Sequence, residues 1–149
     1  MRYLLLILCF LLPLPALAEG LYILPVKLLD TSNEARDQSA EHARRLGLMA
    51  EVLARELPAQ PIGAERIAAS CAGEDPECLL GMLRDEGADR GLFIVVQKTS
   101  TLILQVFASV VDSRDQSLIA YREMNFRGDN DEAWRRAAVF LARDLRGAL

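Results

Sequence analysis

The chain has 149 residues, with 17 basic and 21 acidic side chains, one histidine and a net charge of −4. That balance argues against nucleic acid, which needs a clustered cationic surface to displace counterions, and it argues equally against anionic lipid. The length suits one domain with one core.

Met1-Arg2-Tyr3 is a short basic start, Leu4 to Leu12 carry no charge, and Ala16-Leu17-Ala18 is a small-x-small triplet. These are the parts of a cleavable export signal, with cleavage expected before Glu19. A spanning helix needs roughly 20 apolar residues, and Pro13 and Pro15 interrupt this run too early. Bulky Ile7 and Leu8 before Cys9 do not fit a lipidation site. Removing 18 of the 149 residues leaves 131, with 16 basic and 21 acidic side chains. Residues 19–149 are therefore expected to form a single exported domain. No later run is long enough to span a bilayer, so no stable membrane insertion is expected.

Leu21 to Leu29 is apolar apart from Lys27 and ends at Asp30-Thr31-Ser32-Asn33, a pattern for one buried strand and a polar turn. From Ser39 the period becomes helical. Leu46, Met49, Ala50, Leu53 and Leu57 share a stripe, and Glu41, His42, Arg44, Arg45, Glu51 and Arg55 are expected on the wet side. Pro58 ends that helix; Pro61-Ile62-Gly63 fits a brief edge strand or a turn, and a short helix is expected over 64–70. With Cys9 gone, Cys71 and Cys78 are an even pair in an exported chain, which reads as one disulfide. Six residues separate the sulfurs where a redox pair usually has two, so its role is expected to be structural. Leu79 to Leu83 suggest a further helix ending at Gly87, a natural left-handed cap.

Leu92 to Val96 form a continuous apolar run suited to a strand covered on both faces. Strands over 101–111 and 117–126 follow across the polar loop Asp112 to Gln116, and such short connections imply antiparallel neighbours. Asp129 and Glu132 resemble a capping box for a last helix that turns Trp134, Ala138, Leu141 and Leu145 inward. The fold class expected is α/β (α+β): a mixed, largely antiparallel sheet of four or five strands flanked by three or four helices.

Four segments resemble a proteobacterial family of secreted proteins classed as a domain of unknown function. They are Leu29-Asp30-Thr31-Ser32, Gly87-Ala88-Asp89, the stretch from Val96 to Leu104, and the stretch from Arg127 to Arg136. The resemblance covers most of residues 20–146. Members often sit near genes for periplasmic quinoprotein alcohol oxidation, which implies association with that process. The order of elements is also similar to the amino-terminal domain of TolB and to curli-secretion lipoproteins, implying an interaction module; that step is analogy.

Asp30-Thr31-Ser32 lacks the glycine and the second copy of an aspartic-protease dyad, so a turn role is expected. His42 has no nucleophile elbow to serve, and one histidine with two paired cysteines cannot complete a zinc site. No catalytic, cofactor or metal residues are assigned. Two segments can instead face a partner: Lys98 with Ser100, and the run Arg127, Asp129, Asp131, Glu132, Arg135 and Arg136 beside Trp134. Arginines and aromatics are common binding anchors. The expected function is a non-catalytic accessory or binding module for another periplasmic protein. The alternatives are a small hydrolase using clustered carboxylates, or a carrier of a small apolar ligand between sheet and helices.

Overall fold

The computed structural model describes residues 20–149; the expected signal at 1–18 lies outside them. Strands β1 (Leu21–Ile23) and β2 (Lys27–Asp30) lead into helix α1 (Ser39–Glu56) and the two-residue strand β3 (Gln60–Pro61). Helices α2 (Ala64–Ser70) and α3 (Pro76–Asp85) follow. Then come β4 (Arg90–Lys98), β5 (Leu104–Asp112), β6 (Leu118–Phe126) and helix α4 (Asp131–Arg146).

All six strands form one mixed sheet in the order β3-β1-β4-β5-β6, with β2 also on β4. The long pairings, β4 with β5 and β5 with β6, are antiparallel, whereas β1 and β2 run parallel to β4. The expected single first strand is two. β1 pairs with Arg90 to Leu92 and β2 with Val95 to Lys98, and the chain is interrupted at Leu24-Pro25-Val26. Pro25 has no N–H to give a ladder, which accounts for the break.

Alternation along the strands sorts side chains between two helical layers. Leu92, Ile94 and Val96 of β4 and Leu104, Val106, Ala108 and Val110 of β5 are buried in one cluster with α1 and α4. Helix α4 contributes Trp134, Ala138, Leu141 and Leu145, as its periodicity requires, and Phe126 meets the Trp134 ring edge-on at 5.7 Å. Helices α1 and α4 run parallel. Arg44 meets Asp131 where both begin, and Arg146 meets Glu56 where both end.

The opposite face carries a smaller cluster of Leu24, Ile67, Leu79, Leu80, Leu83 and Ala88, with Phe93 and Val111 packed against it. A disulfide joins Cys71 to Cys78 and ties α2 to α3. Asp75 caps α3 by accepting from the Glu77 amide at 2.8 Å, with Pro76 at the first helical position. Gly87 follows α3 with φ +78°, the left-handed geometry its position suggested. Helices α2 and α3 cover only part of this face, so Val95 is 38% exposed.

Candidate functional site

The most unusual feature is a knot of charge inside the larger layer. Lys98 is the last residue of β4 and follows Leu92, Ile94 and Val96 on the core-facing side of the strand. Its side chain is 0% exposed, and Nζ donates to Asp129 Oδ2 at 3.0 Å and to Glu34 Oε2 at 3.0 Å. Asp30 Oδ2 lies 3.9 Å away. The backbone locks the same point: Lys98 O accepts from Thr31 N at 2.8 Å and from Thr31 Oγ1 at 3.1 Å.

Asp129 sits between β6 and α4, just after Gly128, whose φ of +92° sets the turn. Its amide donates to Thr101 O at 2.9 Å, and its side chain is 2% exposed. Four donors converge on that carboxylate. Oδ1 accepts from Arg45 Nη1 at 2.8 Å and Trp134 Nε1 at 2.9 Å. Oδ2 accepts from Lys98 Nζ and faces His42 Nε2 at 3.0 Å. His42 Nε2 also lies 3.4 Å from Lys98 Nζ. A single ring nitrogen cannot donate to Asp129 and accept from Lys98 together, so the shorter carboxylate contact fixes the proton on Nε2. Asp131, two residues on and the first of α4, takes Arg44 at 2.9 and 3.1 Å and Arg45 Nε at 3.2 Å.

Burial alone would raise the Asp129 carboxyl, but hydrogen bonds from His42, Lys98 and Trp134 and the charge of Arg45 bring it down to about 2. Burial would likewise lower Lys98, yet Asp129 and Glu34 raise it above the usual lysine value. Glu34 is lowered by its bond from Lys98, and Asp30 by the Ser32 hydroxyl. Every buried side-chain polar atom among the described residues has a partner. The knot is closed and satisfied, an arrangement that fixes structure and leaves no idle group for proton traffic.

Several expectations are corrected here. Lys98 and Asp129, expected on a partner surface, are interior. His42 and Arg45, expected on the wet side of α1, are buried. Asp129 does not cap α4; Asn130 does, accepting from the Ala133 amide at 3.0 Å. Glu132 pairs with Arg135 instead of closing a capping box. Ser100 Oγ is turned to its own loop, accepting from Leu102 and Ile103 amides at 3.2 Å. Asp30 makes the turn expected of it, accepting from Ser32 N at 3.0 Å and Ser32 Oγ at 2.6 Å. Arg127, Arg135 and Arg136 remain exposed, joined by Phe140 and Arg143 further along α4.

An apolar cleft of about 160 Å³ opens between α2, α3 and the sheet, lined by Leu24, Ile67, Leu79, Phe93 and Val95. Lys27 and Glu74, ion-paired with each other, stand at its margin. No group of three metal-ligating side chains occurs among the described residues, and no helix among them is long and apolar enough to cross a membrane.

An α/β domain with helices on both faces of a mixed sheet and a closed ionic knot at the head of its last helix is the class these features define. The chain belongs to the family described as a protein of unknown function (DUF2380), whose profile matches residues 19–145. Among curated proteins, none matches the chain in sequence. Solved structures share the fold at low identity. TolB from Acinetobacter baumannii is 12% identical with a TM-score of 0.54, covering 88% of this chain and 28% of that one. The PelC dodecamer from Paraburkholderia phytofirmans is 12% identical with a TM-score of 0.53, covering 85% and 84%. Lipoprotein GNA1162 from Neisseria meningitidis is 14% identical with a TM-score of 0.51, covering 88% and 99%.

Proposed function

We propose that residues 1–18 are a cleaved export signal and that residues 19–149 work as one domain in the bacterial periplasm. Its role there is that of a non-catalytic accessory module binding another protein. One observation carries this reading: in the motif from Arg127 to Arg136, Asp129 is buried in the knot while Arg127 and Arg136 face outward. Asp129 and Asp131 hold α1 to α4, while Arg127 and Arg136 project with no partner among the described residues. An envelope setting fits a fold neighbour that is a lipoprotein and another that assembles as a dodecamer. On the family resemblance alone, quinoprotein-linked alcohol oxidation is where we would look for the partner first.

The hydrolase alternative needs a carboxyl that exchanges protons near neutrality. Asp129, held at about 2, is a poor candidate, and Asp131 and Glu132 are engaged with arginines. The apolar cleft favours a ligand carrier as second reading; native mass spectrometry would then show a copurified small molecule.

Crosslinking in intact cells tests the first reading. A specific adduct with one envelope protein is expected, lost when Arg127 and Arg136 are both changed to Glu. Absence of any specific adduct counts against it.

A further inference from the structure

We infer that the apolar cleft between α2, α3 and the sheet is a binding site for a free, uncharged, apolar molecule the size of a single aromatic ring. The inference rests on the ligand-carrier reading, to which it adds a place and a chemical class of ligand. The fold itself leaves this space open. β1 pairs with β4 as far as Leu92 and β2 pairs with it from Val95 onward, so Phe93 and Ile94 fall opposite the break at Leu24-Pro25-Val26. On the same face the covering layer is too short. Helix α3, with ten residues, rises about 15 Å, while β4, with nine, runs about 30 Å. The cleft that results holds about 160 Å³. Its walls are tied: the Cys71–Cys78 bridge joins α2 to α3, and Glu74, inside the bridged loop, pairs with Lys27 of β2.

Size, lining, charge and access together select the occupant. An apolar cavity of about 150 Å³ stays dry and holds benzene. Leu24, Pro25, Ile67 and Leu79 present hydrocarbon and Phe93 an aromatic ring, so a charge carried inside would find no partner. At the margin Lys27 and Glu74 neutralise each other, which leaves no field to favour either sign. Leu24, Ile67 and Leu79 are between 3% and 8% exposed, whereas Val95 is 38% exposed, so the space lies behind a narrow mouth at Val95. Such a mouth admits a free molecule more readily than an anchor carried on a folded surface. An uncharged ring gains by leaving water and needs no polar partner inside.

Toluene is the probe, followed by amide NMR shifts on the purified protein, with benzoate and benzylammonium as charged counterparts. Toluene should give saturable shifts confined to β4, α2, α3 and the Leu24-Pro25-Val26 break. Each ion should bind at least about tenfold more weakly, because its charge would be buried unpaired. Val95→Trp, which closes the mouth, and Ile67→Phe, which fills the space, should each abolish the toluene shifts. Circular dichroism checks that both fold; should neither fold, the comparison of toluene with the ions in the wild type decides.

The proposal is overturned by toluene shifts that do not saturate or that centre on another surface, by an ion that binds as well, or by a folded blocking variant that binds unchanged. It is also overturned if a photoreactive side chain in place of Val95 captures a protein in intact cells, whether a partner or a second copy. Carriage is decided separately. A cleft that binds toluene while native mass spectrometry finds nothing copurified keeps the site and removes carriage. A small molecule that copurifies equally with the folded blocking variants keeps carriage and removes the site.

Discussion

The Asp129 carboxylate and the Lys98 ammonium meet at 3.0 Å with almost no exposure to water, and each has further partners. Asp129 is the hub, since Arg45, His42 and Trp134 also converge on it. Removing one partner of a buried pair leaves an uncompensated charge, at a cost of about 3–5 kcal/mol. Asp129→Ala should lose that much in urea unfolding. Lys98→Met leaves Asp129 three donors and should lose about 2 kcal/mol, near the value of a charged hydrogen bond. Equal losses would contradict the hub.

Acid should weaken the fold in a defined window. The Asp129 carboxyl is lowered from 3.8 to about 2 in the folded state, so its contribution is complete above the unfolded value and disappears as pH falls through the folded one. About 2 kcal/mol should be lost between roughly pH 5 and pH 2, with Asp30 and Glu34 adding in the same direction. Trp134, bonded to Asp129, reports the event directly by its emission. Lys98 has the opposite sign: raised in the fold, it stabilises below the usual lysine value and is lost only in strong alkali. Asp129→Asn should flatten the acid limb.

The cysteine bridge closes a loop of about eight residues, worth roughly 2.5 kcal/mol in the chain-entropy treatment. Replacing both Cys71 and Cys78 by serine should lower stability by about that amount. Circular dichroism should still report the larger helical layer, because the bridge touches only α2 and α3.

Gly91 permits α3 to approach the sheet. A Cβ built there would stand 2.5 Å from Leu83 Cδ1 and 3.1 Å from the Phe93 ring. Gly91→Ala should therefore cost about 1–3 kcal/mol by overpacking, with hydrogen exchange rising in α3 more than in α4.

The long strands, the inward face of α4, the Cys71–Cys78 bridge and the Gly87 cap were all readable from residue order. Each rests on short-range patterns: alternation, helical period, spacing and turn chemistry. The ionic knot was not read, because a search for apolar stripes passes over charge. Yet its signal was present. Lys98 continues the alternation of Leu92, Ile94 and Val96, and His42 and Arg45 continue the spacing that buries Met49, Val52 and Leu53. A charged residue falling on a core register asks for a buried counterion, and Asp129 beside the only tryptophan was the remaining candidate. What order alone could not supply was the meeting itself, which depends on how α1, β4 and α4 stack.

That stacking sets the order in which the molecule can be assembled. The bridge between Cys71 and Cys78 joins near neighbours and is available to a chain that has only partly emerged. The Asp129 hub draws on His42, Arg45 and Lys98, all of them earlier in the chain. Until residues near 129 arrive, Arg45 lacks its buried carboxylate and Lys98 is left with Glu34 and Asp30, so the charged end of the larger layer stays open. Docking of the last helix, which brings Asp129 with it, is therefore what closes the larger layer.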